Sequence, residues 1–477
     1  MRARNFVLPL AVFFSCVSPQ NMATSSPNKR DGEAGCWNLI PSPNANEIEN
    51  EVYAVTGSGS DVWAAGHYDL FGLGDYRTLI IHWGGSEWSL IPSPNPGDLH
   101  DYLFGATGSG NDVWAVGMYN NHADEPGRTP TRYWNSWRAM QPDGVPPGGP
   151  GRTLTLHWNG SAWSQVASPN VGTSTNLLWG ASGSGNDVWA AGEYSNGQFT
   201  PGQTLTLHWN GGGWSVVPSP NPGTDGNRIY AIGGSGNDAW AVGIYWNGFF
   251  NPRTLTLHWD GNAWSVVPSP NVGSDENWLD GVTGSGNDVW AVGYYQSGST
   301  YPALILHWDG TVWSVVPDPN PGPDVNILRA ASGSGSDVWA VGYSLTSGNP
   351  RRTLTLHWDG GAWSMVPSPN VGSSNNELYS VKRSATGSDS WAVGYSGNQT
   401  LTLHWMDPCN SSPTPTATPT ATATPAATPT VTPTATATPT ATSTPTPTAT
   451  PTPRPTPTPR GSLSPRPRPS PRQRGTG

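Results

Sequence analysis

One phrase recurs seven times along this chain and limits what it can fold into. It reads Gly-Ser-Gly-x-Asp-x-Trp-Ala-x-Gly and stands in full at 57–66 and 108–117. Its tryptophan returns as Trp63, Trp114, Trp189, Trp240, Trp290, Trp339 and Trp391, at spacings of 51, 75, 51, 50, 49 and 52. A second phrase ends in His-Trp and supplies Trp83, Trp158, Trp209, Trp259, Trp308, Trp358 and Trp405. A third tryptophan follows five residues later at Trp88, Trp163, Trp214, Trp264, Trp313 and Trp363. A period near fifty marks a repeat architecture, in which each unit buries its apolar surface only against its neighbours.

Each unit reads as four short strands. In the fourth, the strands are expected at 229–233, 239–245, 254–259 and 264–267. The stretch Thr-Leu-Thr-Leu-His-Trp alternates with period two, as a half-buried strand must. Gly-Ser-Gly-Asn-Asp, Asp-Gly and Pro-Ser-Pro-Asn-Pro-Gly punctuate the runs as turns. Four strands per fifty residues predict the blades of an all-β propeller, here with seven blades.

The ends agree. The last unit stops at His404-Trp405 and lacks a fourth strand. An orphan fourth strand precedes the first unit, where Trp37-Asn38-Leu39-Ile40-Pro41-Ser42 parallels Trp88-Ser89-Leu90-Ile91-Pro92-Ser93. The N-terminal strand should therefore complete the seventh blade, a 3+1 closure that removes open sheet edges. The strand supplied across the seam is outermost, so the first strand of each unit lies nearest the axis. Its small residues, such as Gly105-Ala106-Thr107 and Ala330-Ala331-Ser332, suit a crowded centre. The three tryptophans per unit should pack between neighbouring blades.

Around this body the composition changes. Residues 1–23 read as a signal peptide, with Arg2 and Arg4 ahead of an apolar run at 6–17, and 24–35 as a polar lead-in. That run is short for a membrane span, and no other segment is apolar enough for one. Lipidation of Cys16, after Ser15, is the alternative end for the leader; Phe13 and Phe14 fit that pattern badly. The propeller is assigned to 36–409. Residues 410–477 are rich in Pro, Thr and Ala and carry no acidic residue. They should form a disordered stalk with a basic end. The formal charge is −10, and the six arginines after 450 leave about −16 on the rest (−10 − 6). An acidic body argues against nucleic acid as a partner.

The phrases Asp-Val-Trp-Ala-Val-Gly (112–117) and His-Trp-Asp-Gly-x-x-Trp (307–313) resemble the Trp-rich β-propeller repeats of secreted bacterial proteins, most of them functionally undescribed. The resemblance spans about 370 residues. It implies the propeller fold and a secreted, cell-surface or envelope location, and says little about ligand. The Asp-box of sialidases differs by one residue between Asp and Gly, and its function does not transfer.

No Gly-x-Ser-x-Gly elbow or His-Glu-x-x-His motif occurs, so no catalytic residues are assigned. Arginine on inner strands is confined to Arg228, Arg329 and Arg383. One histidine per unit (His82, His157, His208, His258, His307, His357, His404) spreads around the ring, which argues for a structural layer and against a shared metal. The repeated aspartates should cap turns. No cofactor and no metal are expected, and the chain is expected to be a monomer.

Turns between strands one and two, and three and four, hardly vary; antiparallel alternation puts both on one face. The variable connections share the other. They carry Tyr68, Phe71 and Tyr76 in the first unit, Tyr194 and Phe199 in the third, and Tyr245, Trp246, Phe249 and Phe250 in the fourth. The fifth adds Tyr294, Tyr295 and Tyr301. Function concentrates on variable loops held by rigid scaffolds. The reading is a non-enzymatic binding module for glycan or extracellular protein; a propeller lyase or glycosidase and a structural envelope component are the alternatives. Finally, Cys36 and Cys409 map to the same hairpin at the seam, where the chain is cut, and are expected to be joined by a disulfide.

Overall fold

The computed structural model describes residues 35–72, 74–121, 150–197, 200–248, 251–319, 324–384, 387 and 389–406. These residues form seven four-stranded antiparallel sheets. In the first blade the inner strand is Asn50–Ser58, followed outward by Asp61–Asp69, Tyr76–Trp83 and Trp88–Leu90. The other inner strands are His100–Ser109, Thr175–Ser184, Gly226–Ser235, Asn277–Ser285, Val325–Ser334 and Asn376–Arg383. In the fourth blade the inner strand is longer than its apolar centre, because pairing continues down to the tight turn, where Ser235 faces Asp238. The protein is a seven-bladed β-propeller.

The seam closes as the repeat demands. Strand Cys36–Leu39 pairs with strand Gln399–Met406, in the register Cys36–Met406, Trp37–Trp405, Asn38–His404 and Leu39–Leu403. Trp37 then takes the slot of the missing seventh tryptophan, edge-on to Trp339 at 5.1 Å. Equivalent contacts run around the ring. Trp63 of blade 1 meets Trp158 and Trp163 of blade 2 at 4.8 and 5.5 Å, and Trp391 of blade 7 meets Trp83 and Trp88 of blade 1 at 5.0 and 5.2 Å. Each buried tryptophan removes on the order of 150–250 Å² from water, so the blade interfaces are the core.

The repeated polar residues form a second interblade layer. In each blade His Nε2 meets Asp Oδ1, as in His157–Asp112 at 2.7 Å and His307–Asp288 at 2.8 Å. The histidine stacks on its own blade's tryptophan, Trp63–His82 at 4.1 Å. The other oxygen of the aspartate reaches forward. Asp112 Oδ2 accepts the backbone N–H of Gly185 at 2.5 Å, and Asp389 accepts that of Gly59 at 2.8 Å, closing the ring. All seven aspartates hold the histidine of their own blade, and six of them also cap a turn of the following blade; Asp337 instead takes Arg383. Among the described residues, no group of three or more His, Cys, Asp or Glu could hold a metal ion. No helix among them is long and apolar enough to cross a membrane. The leader, Cys16, residues 122–149 of the long second unit, Cys409 and the region 410–477 lie outside the described residues.

Candidate functional site

Every inner strand carries a β-bulge at the same place. Pairing skips one residue between Val52 and Ala54, Leu103 and Gly105, Leu178 and Gly180, and Ile229 and Ala231. It skips again between Leu279 and Gly281, Leu328 and Ala330, and Leu378 and Ser380. A bulge leaves one residue unpaired and re-aims its side chain. The seven residues re-aimed here are Tyr53, Phe104, Trp179, Tyr230, Asp280, Arg329 and Tyr379. All seven line a central channel of about 310 Å³ to which every inner strand contributes.

The bulge also explains the glycine that ends Trp-Ala-x-Gly. It pulls the inner backbone onto the second strand, so a Cβ on Gly117 would sit 1.9 Å from the Tyr102 carbonyl oxygen, and one on Gly192 1.9 Å from that of Leu177. The same approach recurs in all seven blades. A motif glycine, a bulge and a channel residue are therefore one device.

The bulge residues form a collar. Tyr379 stacks on Tyr53 at 4.3 Å, Tyr53 meets Phe104 at 5.6 Å, Phe104 meets Trp179 at 4.7 Å, and Trp179 meets Tyr230 at 5.7 Å. The polar side closes through Asp280 and Arg329 at 3.1 Å, with the Arg329 guanidinium 5.7 Å from the Tyr379 ring. Arg329 also reaches Glu377 at 2.8 Å, and Glu377 holds Arg351 at 2.6 Å.

Several titratable groups around the collar are displaced by burial. Glu51 hydrogen-bonds the Tyr53 hydroxyl, and its carboxyl is pushed up to about 8, chiefly because it is buried. Burial and the nearby His100 pull His67 down to about 3. Asp101 is raised to about 7 by burial, against the opposing effects of the Gly97 amide and Arg77. Three residues beyond the Tyr379 bulge, Lys382 also lines the channel, with its side chain exposed.

The aromatics assigned to the variable face divide. Phe71 is 63% exposed. Tyr76 and Tyr294 are buried. Tyr68, Tyr194, Tyr245 and Tyr295 are half-buried against the apolar clusters of their blades. Phe199, Phe249 and Phe250 lie outside the described residues. Three of the set join the collar through a residue the sequence reading passed over. Trp278 stacks on Tyr230 at 5.8 Å and on Tyr294 at 5.6 Å. Tyr301 lies 6.1 Å beyond Tyr294, and Trp246 meets Trp278 edge-on at 6.5 Å. An aromatic track thus runs from the channel towards the strand ends of blades 4 and 5.

The inner-strand arginines do not converge. Arg228 pairs with Glu193 at 2.7 Å, Arg329 with Asp280 and Glu377, and Arg383 with Asp337 at 2.5 Å. The collar was missed at the sequence level, although a signal existed. In every unit the bulge residue stands immediately before a small one, and in six of the seven it is large, as in Phe104-Gly105 and Trp179-Gly180. A one-residue bulge cannot be read from alternation, so those residues count as ordinary strand positions.

No family model matches this chain, and no curated protein matches it. Among solved structures the chain is similar to one titled "Structure of YjhT", at 11% identity, over 69% of this chain and 99% of that one, with a TM-score of 0.42. That likeness carries no argument about function.

Proposed function

We propose that this protein is a secreted or surface-displayed, non-enzymatic binding module that recognises glycan through its variable face and the mouth of its central channel. The observation that supports this most is the collar. Five aromatic rings converge on one cavity beside fixed hydrogen-bonding groups of Asp280 and Arg329. Apolar sugar faces pack against aromatic rings, while buried polar groups orient the hydroxyls. Arg228, Arg329 and Arg351 are each already paired with a carboxylate, which favours binding over turnover. The leader at 1–23 would export the chain, and the region 410–477 would hold the propeller away from a surface.

Glycan-array binding by the full mature chain tests this, with product analysis on each bound glycan. Expected are a discrete set of bound glycans, no products, and loss of signal in Trp179→Ala with an unchanged melting curve. Products would favour the lyase or glycosidase reading. No glycan bound, with a protein partner captured instead, would overturn the ligand class. We also propose the Cys36–Cys409 disulfide. Cys36 opens the seam strand opposite Met406, three residues before Cys409. A thiol titration of the unfolded, unreduced exported protein should find neither cysteine reactive; two reactive thiols would exclude the bond.

A further inference from the structure

Past the collar, two blades lack the hydroxyl that the other five carry: blade 4 has Gly233 and blade 7 has Lys382. Three residues beyond the bulge, most blades carry a hydroxyl that ties them to the next. Thr56 Oγ1 donates to the Gly108 carbonyl at 2.7 Å, Thr107 to Gly183 at 2.7 Å, Ser182 to Gly234 at 2.6 Å and Thr283 to Gly333 at 2.9 Å. In blade 6 the hydroxyl of Ser332 instead accepts the Arg383 N–H at 2.9 Å. Blade 7 has Lys382 at this position, and the tie to Gly57 of blade 1 is not made by a hydroxyl. Its neighbour Arg383 compensates structurally, reaching Asp337 through Nε at 2.9 Å, where other blades use a glycine amide. Lys382 has no such task.

Charge around the channel makes this lysine stand apart. Arg228, Arg329, Arg351 and Arg383 all sit against carboxylates. Glu51, held up at about 8, is mostly neutral at pH 7. Lys382 makes no ion pair or hydrogen bond to a carboxylate among the described residues, and no charged neighbour shifts its titration. Its side chain is exposed within the channel, so the ammonium is open to a ligand. It therefore offers a strong site for an anionic group. A protein of charge −10 thus lines its axial cavity with an uncompensated positive charge.

We propose that the channel receives a single acidic sugar residue, its carboxylate on Lys382 and its ring against the aromatic collar; this rests on the glycan-binding reading above. The dimensions agree. Three residues of strand separate Tyr379 from Lys382, roughly 10 Å at about 3.3 Å per residue. The cavity of about 310 Å³ lies at the small end of the range of roughly 300–1,000 Å³ that ligand pockets occupy. The acidic body disfavours a polyanion lying across it, so the acid belongs at the end of a glycan that enters the channel.

The test is calorimetric titration of the mature protein with oligosaccharides ending in galacturonate, glucuronate or sialate, each beside its carboxyl-reduced neutral counterpart. At least one acidic form should bind ten-fold or more tighter than its neutral twin. Lys382→Thr, which installs the residue of three sibling blades, should bring the two within two-fold at an unchanged or higher melting temperature, and Lys382→Arg should restore the preference. Trp179→Ala should weaken both forms. Equal binding of acidic and neutral forms, or full preference in Lys382→Thr, overturns the anion site and leaves the glycan reading standing. No binding of any form overturns both.

Discussion

At the scale of single residues, the collar is governed by groups buried in their neutral forms. Glu51 at about 8 binds its proton more tightly in the folded state than in the unfolded chain, where an ordinary glutamate value near 4.5 applies. Its contribution to stability is full below about 4.5 and is lost as pH rises towards 8. Asp101, raised to about 7, acts in the same direction. His67, lowered to about 3, has the opposite sign: its contribution is present above about 6.5 and is lost as pH falls towards 3. A bell-shaped stability profile follows, falling on the alkaline side through Glu51 and on the acid side through His67. Glu51→Gln keeps the shape and hydrogen bonding of the neutral carboxyl. Thermal unfolding from pH 4 to 9 should show its alkaline fall reduced while the acid limb is unchanged; an unaltered alkaline limb would remove Glu51 from the account.

Among elements, the bulged inner strand is the part that joins motif to site. The glycine of Trp-Ala-x-Gly serves neither a turn nor flexibility. It sits where a carbonyl from the bulged strand comes within 1.9–2.0 Å of any Cβ. Gly192→Ala must push the inner strand of blade 3 away or flatten its bulge, and either moves Trp179. The expected cost is about 2–4 kcal/mol in chemical denaturation, at the upper end for single substitutions, together with weakened ligand binding. A control at Gly185, where an added Cβ meets nothing within 4 Å but φ is +63°, should cost about 1 kcal/mol and leave Trp179 in place. Equal losses at both positions would mean that the close approach is not what the motif glycine serves.

For the whole molecule, closure is the controlling feature. Trp37 is 4% exposed and bridges blades 6 and 7 through Trp339 and Trp405. Trp37→Ala should cost about 3–5 kcal/mol, the range for deleting a large buried ring, and should make unfolding begin at the seam, read as early hydrogen exchange in strand Gln399–Met406. Removing residues 411–477, whose composition cannot bury a core, should leave the unfolding midpoint of the propeller where it was.

Blade number, strand order and the 3+1 seam were all legible in the sequence, because a propeller is a repeat whose period, tryptophan spacing and displaced fourth strand are written along one dimension. The small residues at 105–107 and 330–332 likewise placed the inner strands at the axis. Three things required the tertiary structure. Pairing between His and Asp of one blade spans 15–45 residues, and that between Asp and the next blade's amide 47–73, or 330 across the seam; only folding brings these groups to hydrogen-bond distance. The collar depends on a one-residue skip that leaves local alternation almost intact but turns seven side chains into the channel. The isolation of Lys382 depends on which charges surround it, since a lysine in a list of residues has no counter-ion until the chain folds around it.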